Sequence, residues 1–549
     1  MKAMRIPPDP KDRTRLPSPD LPRGPRAEHL MARPLHTPAA PAAPTAAIVG
    51  AGPGGLSAAM LLASSGVRVT LFEAQPVIGG RTSPVTAGPY RFDRGPTFFL
   101  MPYVLEEIFA ATGRRLQDHA QLHRLDPMYR LILGREGQSP ITLDTTQDID
   151  LMSRRIAAIN PRDGAAFKRF ISDNRRKLHA MESILRSPMR SPADLLNIDA
   201  MKCAPMLKPH LSVHGLLSKY FEDPLVRLSV CFQAKYLGMS PFECPSLFTI
   251  LPFIEYEYGV WHPIGGCHAL MRAMAEVAME LGVDIRTASP VDEILFDGVR
   301  AVGVRARGEE QRFDKVVVNA DATWAIKNLV PAAARRQAGA SYDPAVIDTR
   351  RYSCSTYMLY LGVDGEVDLP HHTIYVSEQY RRNLQDIAVD GRLSDDPSVY
   401  ICNPSRIDPT LAPPGKSSLY VLVPTPNCSA PIDWTVDAPR LRKKTFQQIR
   451  RVFGISDIER RIEQEVQITP DDWRSSNINF GATFNLAHNL GQMLFRRPQN
   501  KLKGFDDLFL VGGGTHPGSG LPTIFLSAQI SSRMICRELG LDFTGDGPR

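Results

Sequence analysis

An α/β fold organised on a parallel sheet is what this sequence predicts. Three stretches predict it: an apolar approach running into glycines at residues 46–55, a second strand ending on Glu73, and a glycine-rich strand-to-helix junction at residues 505–523. Ala47, Ile48 and Val49 enter Gly50-Ala51-Gly52-Pro53-Gly54-Gly55, and an Ala/Leu/Met-rich helical pattern follows over residues 56–64. Strand, tight turn and helix in that order can seat a pyrophosphate on a helix N-terminus. Gly50 permits the turn, Gly52 leaves room for phosphate beside the backbone, and Gly55 lets helix and strand pack closely. Glu73 follows about 20 residues on, where a carboxylate accepts hydrogen bonds from a ribose.

The next residues choose among dinucleotides. Val77-Ile78-Gly79-Gly80-Arg81-Thr82 adds a second glycine pair, a further loop of backbone donors and a cation for the pyrophosphate. This resembles the arrangement of FAD-dependent oxidoreductases of the amine-oxidase and phytoene-desaturase type. The resemblance implies FAD and no NAD site.

The 549 residues allow two or three domains with a substantial core, and 43% hydrophobic with 22% charged residues describes an ordinary folded protein. A formal charge of +7 is mild and its basic residues are dispersed, so nucleic acid is not an expected partner. Eight cysteines without a C-x-x-C point to buried reduced thiols rather than zinc or a redox dithiol, and to a cytoplasmic setting. No run of about 18 apolar residues is present, so a bilayer span is not expected.

In chain order, residues 1–45 are rich in Pro, Arg and Ala without periodicity and read as a disordered extension, with Met31 an alternative start. Residues 46–150 read as the first part of the nucleotide-binding domain with the start of a substrate domain. They include Phe92-Asp93 and the turn Gly95-Pro96-Thr97, a helix at 103–112 and a strand-like run at 129–133. Residues 151–260 read as a helical cap with Phe167, Phe170, Ile171, Leu178 and Met181 at helical spacing. Lys168-Arg169 and Arg175-Arg176-Lys177 on it suit either an anionic lipid surface or a solvated face. Residues 247–261 form a dense aromatic run: Phe248, Phe253, Tyr256, Tyr258 and Trp261 suit either a tunnel lining or core packing. Glu255 and Glu257 alternate with them at strand spacing and read as solvated edge carboxylates.

Residues 261–330 read as a return to the nucleotide-binding domain. A helix at 267–281 has one apolar face, and strands at 284–286, 291–296, 300–305 and 315–318 lead to Asn319-Ala320-Asp321. Residues 331–500 carry alternating runs at 352–363, 370–376 and 418–424, read as a second, mixed substrate-binding sheet. Residues 501–540 supply the buried strand 505–511, the run Gly512-Gly513-Gly514-Thr515-His516-Pro517-Gly518-Ser519-Gly520-Leu521-Pro522-Thr523 and a helix to 539; residues 541–549 are a tail. The architecture is thus a discontinuous Rossmann-type FAD-binding domain, an inserted helical cap and a mixed-sheet substrate domain.

Taken together, the GAGPGG start, Phe92-Asp93 with Gly95-Pro96-Thr97, and His262-Pro263 with Gly265-Gly266 resemble the bacterial-type phytoene desaturases, in the carotenoid desaturase and isomerase branch of flavin oxidoreductases. So do His371-His372-Thr373, Asp433-Trp434-Thr435-Val436 and, most specifically, Gly514-Thr515-His516-Pro517-Gly518 with Gly520 and Pro522. The likeness covers residues 46–539. Ile264, where such desaturases often have Arg, and Thr523-Ile524-Phe525-Leu526-Ser527 after Pro522 depart from the pattern and bear on substrate rather than on the flavin.

The resemblance implies cofactor contacts at Gly50, Gly52, Gly54, Gly55, Glu73, Gly79, Gly80, Arg81, Thr82, Gly95, Pro96, Thr97, Val291, Asp321, Gly513, Gly514, Thr515, Gly520, Pro522 and Thr523. It implies removal of two hydrogens from a C–C bond of a long apolar polyene, hydride going to flavin N5, with oxygen or a quinone as final acceptor and peripheral membrane contact. The departing hydride leaves a delocalised cation, so the resemblance implies little side-chain acid/base catalysis and singles out no catalytic base. His516 is the one candidate, with a backbone-bonded structural histidine as the alternative. His371 and His372 read as a structural pair at a strand end or as proton shuttles, and no carboxylate spacing beside them supports a metal. A carotenoid isomerase, a terminal-methyl oxidase on the same fold and a non-catalytic flavin-binding scaffold are the alternatives. An amine oxidase fits the C-terminal loop less well.

Overall fold

The structure is a computed structural model that describes residues 43–195 and 206–546. The extension expected over residues 1–45 lies almost wholly outside the described residues, and Thr45 already opens a strand.

Five short strands make an all-parallel sheet in the order Leu508–Leu510, Lys315–Val318, Thr45–Val49, Arg68–Phe72, Asp284–Arg286. Side chains alternate between its faces: Ala46, Ile48, Val317 and Phe509 enter one apolar core, and Ala47, Val49, Val316, Val318 and Leu508 enter another. Both faces are covered, as a parallel sheet demands. The strands come from three widely separated stretches, and their carboxyl ends deliver Gly50, Glu73, Asn319 and Val511 to one edge. On the opposite side, Lys315 Nζ donates to Asp507 Oδ1 at 2.5 Å and Glu538 Oε2 at 2.8 Å, tying a central strand to the C-terminal helix.

The alternating runs become Ser355–Val363, His372–Val376 and Ser417–Thr425 of a seven-stranded mixed sheet. Val399–Cys402, Ile462–Ile468, Arg130–Arg135 and Gln138–Asp144 complete it. One pairing, between His372–Val376 and Arg130–Arg135, is parallel. The others are antiparallel.

Inserted after the strand Gln138–Asp144, the helix Pro161–Leu185 starts at Asn160, whose side chain accepts from Arg162 N and Asp163 N, and buries the five apolar residues predicted for its inner face. Its basic residues have partners within the protein. Lys177 is buried with Nζ 2.7 Å from Thr249 Oγ1, Arg175 forks onto Glu257, Arg176 pairs with Asp173 and Lys168 with Asp150.

The strand reading of residues 247–261 is corrected. The run is the helix Ile250–Tyr258 followed by the short strand Trp261–Pro263. Alternating aromatics mimic a strand period, yet the helix is buried nearly all round, with Ile250, Pro252, Phe253, Ile254, Glu255 and Tyr256 all inside. Glu255 is therefore no edge carboxylate: Tyr129 Oη donates to its Oε2 at 2.8 Å, Gln233 Nε2 donates at 3.0 Å, and Oε1 has no partner. Glu257 is half-buried under Arg175.

Burial pushes the Glu255 carboxyl up to about 7, against the opposing bonds from Gln233 and Tyr129. The folded protein then holds a proton that the unfolded chain releases, so stability is full below pH 4.5 and declines as pH rises to about 7. Urea unfolding across that window is expected to show a loss of about 3 kcal/mol attributable to this group. The Glu255→Gln variant should abolish that part of the slope.

Candidate functional site

The turn after the first strand is shaped by backbone that only hydrogen can line. Gly50 has φ +102°, and a Cβ on it would meet Asn319 O at 2.7 Å. On Gly54 it would meet Asn319 Oδ1 at 2.6 Å, and on Gly55 the Gly50 carbonyl at 2.0 Å. Asn319 Nδ2 donates to Gly50 O at 3.0 Å, so the end of one strand clamps the turn leaving its neighbour. Gly52 then opens the helix Pro53–Ser64 with no side-chain cap, leaving its first N–H groups for a ligand. The helix Leu521–Glu538 starts the same way at Gly520.

Both helix starts line one cavity of about 1110 Å³. That exceeds the roughly 300–1,000 Å³ of an ordinary small-ligand pocket. Its walls also include Glu73, Gly80, Arg81, Thr82, Gly95, Pro96, Thr97, Val291, Asp321, Gly513 and Pro522. Glu73 is held by Ala51 N, 2.8 Å from Oε2, and Gln75 N, 2.9 Å from Oε1. Asp321 Oδ1 caps a short helix through Trp324 N at 2.9 Å.

Six expected contacts are not part of the cavity lining. Gly54, Gly55 and Gly79 are packing positions of the glycine loops, Gly79 donating to Ala51 O at 2.8 Å. Gly514 packs on Ala322, Thr515 Oγ1 donates to Pro498 O at 2.6 Å, and Thr523 Oγ1 to Gly520 O at 2.9 Å. His516 is also corrected: it is buried off the cavity with Nε2 3.1 Å from Ile184 O, and burial pushes its imidazole down to about 4. It is the backbone-bonded histidine.

Several lining residues carried no sequence signal. Asn485 Oδ1 accepts at 3.0 Å from Nη2 of the expected contact Arg81, whose guanidinium pKa burial lowers against the pull of Asp321. Arg94 reaches Ser476, and Lys235, brought in by the helical segment, is pushed down to about 8 by burial. Behind the C-terminal loop the buried Arg497 donates to the carbonyls of Gly513 at 2.7 Å and Thr515 at 3.1 Å. Those carbonyls are thereby held on the side away from the ligand.

Away from the glycine loops the wall becomes apolar and aromatic, with Phe98, Leu100, Phe232, Tyr236, Met358 and Tyr400. None of Phe248, Phe253, Tyr256, Tyr258 and Trp261 contributes: Phe248, Phe253 and Tyr256 are buried in the core, and Tyr258 and Trp261 pack against it. Phe98 stacks on His372 at 4.0 Å and 11°, and His372 Nδ1 lies 2.7 Å from Tyr400 Oη.

The profile of the flavin containing amine oxidoreductases matches residues 53–536. The chain belongs to that family. It is 40% identical over 493 residues to a 4,4'-diapophytoene desaturase (4,4'-diapolycopene-forming) of Methylomonas sp, covering 89% of this chain and 95% of that one. It is 41% identical over 503 residues to an all-trans-zeta-carotene desaturase of Myxococcus xanthus, covering 90% and 93%. Among solved structures, an oxidoreductase from Methanosarcina mazei superposes with a TM-score of 0.61 at 16% identity, covering 89% of this chain and 100% of that one. Putrescine oxidase does so with 0.58 at 15%, covering 90% and 100%. These likenesses show the shared fold.

The cofactor is FAD, and the residues present fit it. Two uncapped helix starts and two arginines suit a pyrophosphate, and Glu73 suits a ribose. A Cβ at Gly55 meets backbone that cannot yield. Gly55→Ala is expected to purify without the yellow flavin chromophore, its affinity for added FAD lower by about 10- to 100-fold. Fluorescence titration of the apoprotein with FAD checks this.

Proposed function

We propose that the protein is an FAD-dependent carotenoid desaturase that introduces C=C bonds into a long apolar polyene. The observation that carries the reading is the continuity of one cavity from the dinucleotide loops into a chamber walled by Phe98, Leu100, Phe232, Met358 and Tyr400. An amine substrate would call for a polar or acidic end to that chamber. Apolar, aromatic walls instead suit a hydrocarbon chain. The relatives named as diapophytoene and zeta-carotene desaturases, aligned over nearly the whole chain, support the same reading.

In this reading the glycine loops, Glu73 and Arg81 hold the dinucleotide, and bound FAD supplies a two-electron acceptor for hydride. The residues of the chamber hold the polyene extended and keep water away from the cationic carbon that hydride loss creates. Oxygen or a membrane quinone then takes the electrons. The polyene reaches the chamber from a lipid surface that the protein touches peripherally; among the described residues no helix is long and apolar enough to cross a membrane.

The departures at Ile264 and residues 523–527 sit differently. Ile264 is off the cavity, whereas Ile524 lines it beside Pro522. Substrate length is therefore tested directly by co-expression in a colourless host that accumulates C30 diapophytoene or C40 phytoene. Coloured products lighter by multiples of two hydrogens are expected. Conversion of a cis polyene at constant mass, with both precursors untouched, would replace the reading by the isomerase.

A further inference from the structure

The desaturase reading leaves one proton without a destination, and the structure offers it a route. Thr97 and Tyr400 both line the cavity, and their hydroxyls lie 2.7 Å apart. Tyr400 Oη is also 2.7 Å from His372 Nδ1. The three groups therefore form a short hydrogen-bonded file from the cavity wall into the protein. Phe98, itself a cavity residue, stacks flat on the His372 ring and screens it from the chamber. The imidazole communicates with the cavity through the Tyr400 hydroxyl.

Behind it the file continues as a chain of rings. His371 lies 4.2 Å from His372, centroid to centroid, and His262 lies 4.7 Å from His371. His262 Nε2 is 2.8 Å from Asp408 Oδ2. Burial alone would raise the Asp408 carboxyl, but bonds from His262, Thr410 and Gly265 hold it below its usual range, so an anion ends the chain. His372 Nε2 and His371 Nε2 are buried with no partner, an arrangement a purely structural histidine pair has no reason to keep. By contrast Tyr420, another tyrosine of the wall, gives its hydroxyl proton to the Gly95 carbonyl at 2.9 Å.

We propose that Tyr400 is a catalytic residue that takes the proton lost from the polyene and passes its own to His372, with Thr97 fixing its hydroxyl at the cavity wall. This rests on the desaturase reading. One C–H bond of the polyene breaks with its electron pair leaving as hydride, which oxidised flavin would accept. The neighbouring C–H bond then breaks with its pair staying on carbon as the new double bond. The released H⁺ arrives on Tyr400 Oη while the tyrosine proton moves to His372 Nδ1, leaving a neutral tyrosine and an imidazolium. Burial, followed by the other histidines, keeps His371 and His372 far below their usual pKa, so His372 rests neutral and its Nδ1 lone pair is the acceptor that faces Tyr400 Oη. A weak base suffices, because a polyene cation is a strong acid.

The test compares Tyr400→Phe, His372→Leu and the double variant as FAD-loaded proteins with detergent-dispersed polyene. Tyr400→Phe keeps the ring and its packing, and is expected to bind FAD and polyene as the parent does while product formation at saturating substrate falls about 100-fold. The double variant should be no slower than the slower single one, since both remove the same file. Independently of turnover, the ¹⁵N signals of the protein's histidines should lose one strongly hydrogen-bonded Nδ1 acceptor in Tyr400→Phe. Turnover of Tyr400→Phe within about threefold of the parent, multiplicative losses in the double variant, or unchanged histidine signals would each overturn the proposal. Should His372→Leu fail to fold, the Tyr400→Phe rate and spectrum decide alone.

Discussion

The structure hangs on a junction where three backbones meet with no room for a side chain. Gly54 faces Asn319 Oδ1 and the Gly512 amide, which a Cβ would approach to 2.6 and 3.1 Å, and Gly512 itself faces Asn319 Oδ1. The three residues belong to the first helix start, the end of the fourth strand in chain order within the parallel sheet, and the C-terminal loop. Each segment supplies part of the surface that its two neighbours pack against, so a side chain at Gly54 would disturb all three. This explains how a fingerprint at residue 50 and a glycine run at residue 512 come to serve a single ligand. It also makes Asn319 more than a loop residue: its amide spans Gly50 O and the space beside Gly54.

The junction sets the electrostatics. Two helices start at glycines with no side-chain cap, so both present uncompensated N–H groups and the positive ends of their dipoles to the cavity. Arg497 works from behind: by taking the Gly513 and Thr515 carbonyls it keeps acceptors away from an anionic ligand, and its own burial is costly enough to bring its pKa down to about 10. Arg81 sits in front, oriented by Asn485. An anion at this place meets donors and cations already fixed, and little reorganisation remains to oppose binding.

What the sequence made legible was local. The strand-turn-helix of residues 45–64, the acid at Glu73, the Gly79-Gly80 pair and the C-terminal run are each contiguous, and glycine needs no partner to announce a turn. What stayed illegible depended on distant partners. Glu255 looks like an edge carboxylate until Tyr129 and Gln233 come from elsewhere to bury it. Lys235, Asn485 and Tyr400 sit in stretches of ordinary composition and gain meaning only from the wall they join. His516 misled in the opposite direction: it lies in the most telling motif of the chain, but only the flanking Gly512-Gly513 and Ser519-Gly520-Leu521-Pro522 reach the cavity, while the imidazole points to Ile184. A motif records which backbone must be glycine more reliably than where its side chains aim.

The cavity therefore divides by charge as well as by shape. At the dinucleotide end, charged groups meet partners. Along the apolar end, burial moves groups toward their neutral forms: the Tyr400 and Tyr420 hydroxyls and the Cys354 thiol are pushed up and His372 is pushed down. A wall without resident charge lowers the cost of seating a hydrocarbon, and it also leaves a transient carbocation without a counter-ion to trap it. Lys235 is the exception, a half-buried cation beside Cys354 whose desolvation already weakens its hold on the proton. A cation there opposes positive charge on nearby carbon, so the polyene carbon that loses hydride is best placed toward Thr97 and Tyr400, where neutral hydroxyls can take the proton that follows.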